Sequence, residues 1–236
     1  MIRAGGPVIP DFGGPSSCVE ANRAFCWDWV RGHWGHTLQP ELVQHVELTA
    51  IAVGSGFAIA FAAALLVQRY RRAEQPIGIA AAVLYTIPSL ALFQLLVPFT
   101  GLTTTTVEVA LVGYTLVILV PNILVGLDGA PAEGVEAARG MGYTPRQILW
   151  KIRLPLAVPS IVGGLRIAVV STVSIATIAA FLLPKGLGNP IFFALKEPSP
   201  FKTEIYSAGA LAVGLALACD LGLVALRRVL VPWRPL

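Results

Sequence analysis

Few residues in this chain have the chemistry of an active centre. The histidines are His33, His36 and His45, and the cysteines are Cys18, Cys26 and Cys219. Their spacing matches no zinc site. His33 and His36 are the two conceivable metal ligands, but interfacial histidines are commoner, and no metal centre is expected. Cys219 lies in an apolar run and reads as a small core residue. Cys18 and Cys26 lie in a polar stretch, where an oxidising surrounding leaves two states open, a disulfide or two thiols. No Gly-x-x-x-x-Gly-Lys-Ser/Thr loop occurs, so the chain does not bind ATP by that route and no cofactor of its own is expected. Three charged residues stand in apolar runs. Asp220 is expected to pair with Arg227 or Arg228, and Glu108 to snorkel outward. Arg166 is expected either to snorkel or to meet the polar segment 128–160.

The apolar runs dominate everything else. Hydrophobic residues make up 56% of the 236 positions and charged residues 13%, with a mean hydropathy of +0.74. That is too little charge to cover a soluble surface, so lipid must be most of the solvent. A net charge of +4 gives no support to nucleic-acid binding. Five runs, 46–67, 77–99, 107–127, 161–183 and 205–226, each supply the ~20 residues that cross a ~30 Å hydrocarbon core. The fold class is therefore all-α, a polytopic membrane protein with five transmembrane helices. Its place is a cell (inner or plasma) membrane, with lipid as its constant partner. No internal repeat is evident, which argues against a secondary transporter. No His, Asp, Glu or Cys constellation lies at membrane depth, which argues against a membrane-embedded enzyme.

Lys and Arg set the orientation. Ten of them (Arg69, Arg71, Arg72, Arg139, Arg146, Lys151, Arg153, Arg227, Arg228 and Arg234) fall on one side, and six (Arg3, Arg23, Arg31, Lys185, Lys196 and Lys202) on the other. The first side is expected to be cytoplasmic, with the N-terminus outside and the C-terminus inside. Residues 1–45 then form an extracytoplasmic tail, 46–226 the transmembrane domain with a cytoplasmic loop over 128–160, and 227–236 a cytoplasmic tail. The start, with Gly5, Gly6, Pro7 and Pro10, has no long apolar core, so the first span is expected to direct insertion. Trp27, Trp29 and Trp34 suit a membrane interface, and residues 20–34 read as a short interfacial helix or a soluble cap. Ala50, Ala52, Gly54, Ser55, Gly56 and Ala58 make span one a close-packing helix.

Segment 128–160 carries the strongest local signals. Pro131 suits a first helical turn, and Glu133 and Glu136 suit its positive end. Ala137 and Ala138 are small helix formers, which let a partner approach. Gly142 can take the left-handed conformation that ends a helix. Thr144-Pro145-Arg146-Gln147 reads as a capping box with proline at the first position of a second helix. Pro155 and Pro159 are expected to break that helix before span four. The product is a helix–turn–helix on the cytoplasmic face, either a docking element or a solvated connector.

The fixed positions Glu136, Ala137, Ala138, Gly142, Ile152, Leu154 and Pro155, two spans from the C-terminus, resemble the cytoplasmic loop of permease subunits of binding-protein-dependent ABC importers. The likeness covers residues 42–228. It implies that these seven residues form an ATPase-coupling element and that a separate cytoplasmic ATP-binding subunit uses the ATP. It also implies an extracytoplasmic substrate-binding protein and a second permease subunit, identical or paralogous. Each ATPase state then holds the coupling helix differently, and the pore follows.

Three further stretches resemble the osmoprotectant branch of that family, which imports glycine betaine, carnitine, choline or proline betaine. They are Thr86 to Leu92, Ala176 to Phe181, and Gly186-Leu187-Gly188 followed by Ile191-Phe192; Leu183-Pro184-Lys185 departs from the glycine-rich run usual there. Tyr85, Thr86, Pro88, Ser89 and Thr177 become candidate pathway residues. Pro88 can bend span two. Its neighbouring hydroxyls either line a polar path or bond to their own backbone. An aromatic cage for a quaternary ammonium group is better placed in a separate binding protein. Another small solute, such as an amino acid, is the alternative cargo. Asn122, beside Pro121, is expected to support a helix kink.

Overall fold

The computed structural model describes residues 17–231, and every regular element among them is helical. Residues 1–16 and 232–236 of the two expected tails, with Arg3 and Arg234, lie outside the described residues. In chain order the helices are α1 (Ser17–Glu20), α2 (Trp27–His33), α3 (Gln39–Arg69), α4 (Glu74–Thr86), α5 (Ser89–Thr100) and α6 (Thr104–Asp128). They continue with α7 (Ala132–Gly140), α8 (Pro145–Ile148), α9 (Leu154–Ile178), α10 (Gly188–Lys196) and α11 (Lys202–Leu230).

Helices α3, α6 and α9 form the centre, with α11 laid on α9 and the α4–α5 pair on α6. Lipid tails are as apolar as leucine, so close fit rather than water avoidance must hold such helices together. Span one supplies that fit with Ala52, Gly56, Ala60 and Ala64, four residues apart and all buried. Ala60 and Ala64 pack with Leu119, Val120 and Ile123 of α6 and with Ala157 and Ala168 of α9. A second cluster joins Leu48 and Ala52 to Phe93, Leu111 and Ala176. Helices α6 and α9 come together at Gly164, where an added Cβ would lie 2.6 Å from the Asn122 Cβ. The Asn122 side chain donates to the Ile118 carbonyl, and the Ser160 hydroxyl donates to the Asn122 carbonyl from the facing helix.

Four helical stretches are long and apolar enough to cross a membrane, Trp27–Arg69, Thr104–Asp128, Pro145–Phe181 and Lys202–Leu230. The expected span two is two pieces, Arg71–Thr86 and Ser89–Thr100, bent by 105°; counted as one, they make five. The break falls at Ile87-Pro88, where Ile87 is extended (ψ 122°) and proline has no N–H to give. The Tyr114 hydroxyl of α6 donates to the Ile87 carbonyl left at the break.

Two expectations are corrected. Residues 20–34 are not one helix, because the chain turns at Asn22 (φ 44°) between α1 and α2. That turn docks on the start of α11. The Asn22 amide donates to Pro200 O, and its oxygen accepts from the Lys202 backbone N–H, each at 3.0 Å. Helix α2 then runs through a π-helical turn, Trp34–Leu38, into α3. Trp29 is buried edge-on against Phe201, whereas Trp27 and Trp34 are exposed. The second correction concerns Pro155 and Pro159, which do not break the helix: Pro145–Phe181 is continuous. A π-helical turn at Leu149–Arg153 precedes Pro155, with the Leu154 N–H reaching back to Leu149 O. The wider turn gives the ring of Pro155 room that a regular turn denies it.

Candidate functional site

The segment after α6 folds as its local chemistry dictates. Pro131 immediately precedes α7, and Glu133 sits in its first turn. The helix ends at Gly142, φ +81°, with the Tyr143 N–H on Ala138 O and the Gly142 N–H on Arg139 O. That is a Schellman turn, and it needs a residue at home in the left-handed region. Thr144 and Gln147 then close a full capping box around α8, with Pro145 in its first turn. The second helix of this hairpin is thus the beginning of the long helix that carries α9.

The seven motif residues divide into two groups. Ala138 is fully buried and Ile152 partly so, in a small core with Val135, Ile148 and Tyr143 that sets the angle of the hairpin. Leu154 packs into the bundle, and Pro155 opens α9. Glu136, Ala137 and Gly142 face outward. The hairpin therefore has its own core and presents a small-residue face that the bundle does not use.

A polar cluster at this end escaped the sequence reading. Asp128, at the end of α6, accepts from the Arg71 guanidinium at 2.8 and 2.5 Å and from the Gln68 amide at 2.9 Å. Arg153, in the π-helical turn, donates to the Gln68 oxygen at 2.8 Å and lies 3.8 Å from Asp128. Four segments meet there: the ends of α3 and α6, the start of span two, and the hairpin. A charge run after span one was visible in sequence, but its partner 57 residues away was not.

The opposite end of the bundle holds another missed residue. His45 is fully buried, although the sequence placed it outside span one. Its Nδ1 accepts from the Leu187 N–H at 3.1 Å, which leaves Nε2 to donate to Val173 O at 3.1 Å. Beside it, the Asn189 amide donates to Glu41 at 2.6 Å, and the Gly186 N–H donates to Gln44. The Gly-Leu-Gly loop is thus fastened to α3 and α9. A Cβ on Gly188 would lie 1.9 Å from the Thr177 carbonyl, so only glycine fits.

The pathway candidates are not brought together. Tyr85, 71% exposed, lines a groove between α4 and α6, whereas Thr177 lines a cavity of about 690 Å³ among α9, α10 and α11. Thr86 and Thr177 donate to Val83 O and Val173 O, one turn back in their own helices. Pro88 and Ser89 sit at the 105° break. The charged residues also differ from expectation. Asp220 pairs with Arg166 at 2.7 and 2.9 Å, across α9 and α11, instead of with Arg227 or Arg228. The two face each other at the same depth, which neither helix alone reveals. Glu108 does not snorkel: both its carboxylate oxygens are buried without a partner among the described residues. Cys18 and Cys26 are joined, with Cα atoms 5.8 Å apart.

Comparison with known proteins places this arrangement. The family model for the binding-protein-dependent transport system inner membrane component matches residues 54–232. The chain belongs to this family. This transport-system component is 31% identical to the carnitine transport permease protein OpuCB of Listeria monocytogenes, over 84% of this chain and 90% of that one. It is 36% identical to the osmoprotectant import permease protein OsmW of Salmonella typhimurium, over 80% and 89% of the two chains. Its fold resembles the inward-facing MetNI methionine ABC transporter, with a TM-score of 0.72 over 85% of this chain and 98% of that one, at 21% identity. The transport-system component is a multi-pass inner-membrane protein.

Proposed function

We propose that this chain is the permease subunit of an ATP-driven importer for osmoprotectants of the glycine betaine, carnitine, choline and proline betaine class. The observation that carries the reading is the hairpin: a separately cored element with Glu136, Ala137 and Gly142 turned away from the bundle. A connector has no need of its own core or of an unused small-residue face. In this reading α7 is the coupling helix and its end of the bundle is cytoplasmic, in line with the Lys and Arg distribution. The N-terminus is then outside and the C-terminus inside.

A cytoplasmic ATP-binding subunit receives the helix, an extracytoplasmic binding protein delivers the solute, and a second permease subunit completes the pore. The Asp128 cluster passes movement of the hairpin to the corner between spans one and two. ATP is bound and hydrolysed only in the partner subunit. The relatives named for carnitine and for osmoprotectants support the cargo class.

The test is uptake of labelled glycine betaine in a host without its own betaine importers, with this chain, its ATPase and its binding protein supplied together. ATP-dependent uptake that is lost when Glu136 and Gly142 are both replaced supports coupling and cargo at once. ATPase stimulation without betaine uptake keeps the permease and moves the cargo to another small solute, such as an amino acid. No effect on the ATPase defeats the reading.

A further inference from the structure

A cavity of about 700 Å³ lies between the last turns of α3 and the hairpin. Four arginines line it, Arg69, Arg139, Arg146 and Arg153, and no Asp or Glu does. Among the described residues Arg69, Arg139 and Arg146 make no ion pair, although Arg69 Nε donates to the Tyr70 hydroxyl at 3.1 Å; Arg153 is the one that approaches an acid. Like charges converging on one cavity raise each other's energy until an anion enters.

The depth of the cavity identifies what carries that anion. Its apolar wall includes Leu65 and Trp150. Trp150 is 46% exposed and packs on Phe61 with ring centroids 6.5 Å apart. Phe61 lies two turns before Arg69 on α3, about 12 Å along the helix axis. Phe61 itself does not line the cavity, which reaches from the arginines one turn down α3 to Leu65, about 6 Å along the axis, beside a tryptophan of the kind that marks the headgroup level. A soluble partner does not reach below the headgroups, whereas a phospholipid has its phosphate at the upper level and its chains at the lower. The outward-facing motif residues Glu136 and Ala137 do not line the cavity, whereas Arg139 of the same helix does.

We propose that this cavity binds the phosphate group of an anionic phospholipid of the cytoplasmic leaflet. Arg69, Arg139 and Arg146 take the phosphate oxygens, for which the guanidinium fork is suited. The acyl chains run along Leu65 and Trp150. Basic pockets of this kind between spans suit lipid headgroups. The bound lipid then bridges the end of span one to the hairpin. The inference rests on the cytoplasmic placement of this end given under the proposed function.

The experiment uses the full chain purified in neutral detergent. Phosphatidylglycerol, phosphatidylcholine with the same acyl chains, and sn-glycerol 3-phosphate are offered separately, and retention is read by native mass spectrometry. Phosphatidylglycerol is expected to be retained about tenfold better than phosphatidylcholine, and the tail-less phosphate ester not at all. Arg69→Gln with Arg146→Gln should abolish most of that preference, Arg69→Lys with Arg146→Lys should keep part of it, and Arg228→Gln should leave it intact. If the double glutamine variant unfolds, Arg146→Gln alone, on an exposed side chain, is read in its place.

Equal retention of the two lipids, an unchanged double glutamine variant, or an equal loss in Arg228→Gln overturns the proposal. Tight retention of glycerol phosphate overturns the lipid as its source. Loss of ATPase-subunit binding in the double variant, with lipid retention unchanged, assigns the guanidinium groups to that subunit and also overturns it. Selective lipid retention by a chain that never stimulates an ATPase supports the lipid site and defeats only the importer reading.

Discussion

The two ends of this bundle are fastened by different chemistry. At the hairpin end, Asp128 is held by side chains from three segments, and the groups are well exposed, Arg71 by 51% and Asp128 by 35%. At the Gly-Leu-Gly end, a fully buried His45 is held by backbone groups on two sides. Exposed charge pairs contribute about 0–1 kcal/mol and exchange readily with water. A buried polar group stripped of its partner costs about 1–3 kcal/mol. One end is made of bonds that can be remade during a transport cycle, and the other of bonds that keep their geometry. Stability and coupling are therefore expected to respond to substitutions at opposite ends.

The largest effect on stability is expected from Gly188→Val. Its side chain would overlap the Thr177 carbonyl, and such overpacking costs on the order of 3 kcal/mol. Thermal unfolding in detergent should drop sharply, and an unchanged midpoint would remove the close-packed end from the comparison. His45→Ala should follow, at about 2 kcal/mol, because it orphans the buried Leu187 N–H, while the Val173 carbonyl keeps its bond from Thr177. His45→Gln should restore part of the loss.

Gly142→Val forces a branched side chain into the left-handed region, at a cost of about 1–2 kcal/mol confined to an exposed turn. Its unfolding midpoint should shift little, while uptake per ATP hydrolysed falls steeply; Gly142→Asn should be tolerated. Normal transport by the valine variant would sink the assignment of that turn. The smallest change in stability is expected for Asp128→Asn, under about 1 kcal/mol. Its coupling should still weaken in a reconstituted system at low salt, and high salt should narrow the gap from the parent protein. A gap that salt leaves untouched would count against an exposed electrostatic cluster.

What could be read from sequence follows the range of the interactions. The Gly142 turn and the Thr144–Gln147 capping box are decided within a few residues, and composition with run length was enough for the apolar helices. The weak place in span two was legible because Pro88 removes its own donor. His45 was misplaced because its partners lie 128 and 142 residues away and its sequence neighbours are ordinary for a helix entering a membrane. The Arg166–Asp220 pair, 54 residues apart, depends on how α9 and α11 align in depth. Pro155 misled for another reason: the rule for proline counts the lost hydrogen bond but not the π-helical turn that makes room, whereas Pro159 stands inside α9 without such a turn.

That accommodation has a mechanical consequence. Because the prolines do not interrupt it, Pro145–Phe181 is one rod of 37 residues, about 55 Å long. Gly164, where α9 presses on Asn122 of α6, stands near its middle. A rod pivoting there is a lever with nearly equal arms, and a tilt of about 10° swings each tip by about 5 Å in opposite directions. If the hairpin is the coupling element proposed above, a push on it is expected to reach the Gly-Leu-Gly loop through this helix. Spin labels at Arg146 and Phe181, each paired with a label on α6, should report opposite displacements when the ATPase subunit binds nucleotide; displacements of the same sign would mean that the helix slides and does not swing.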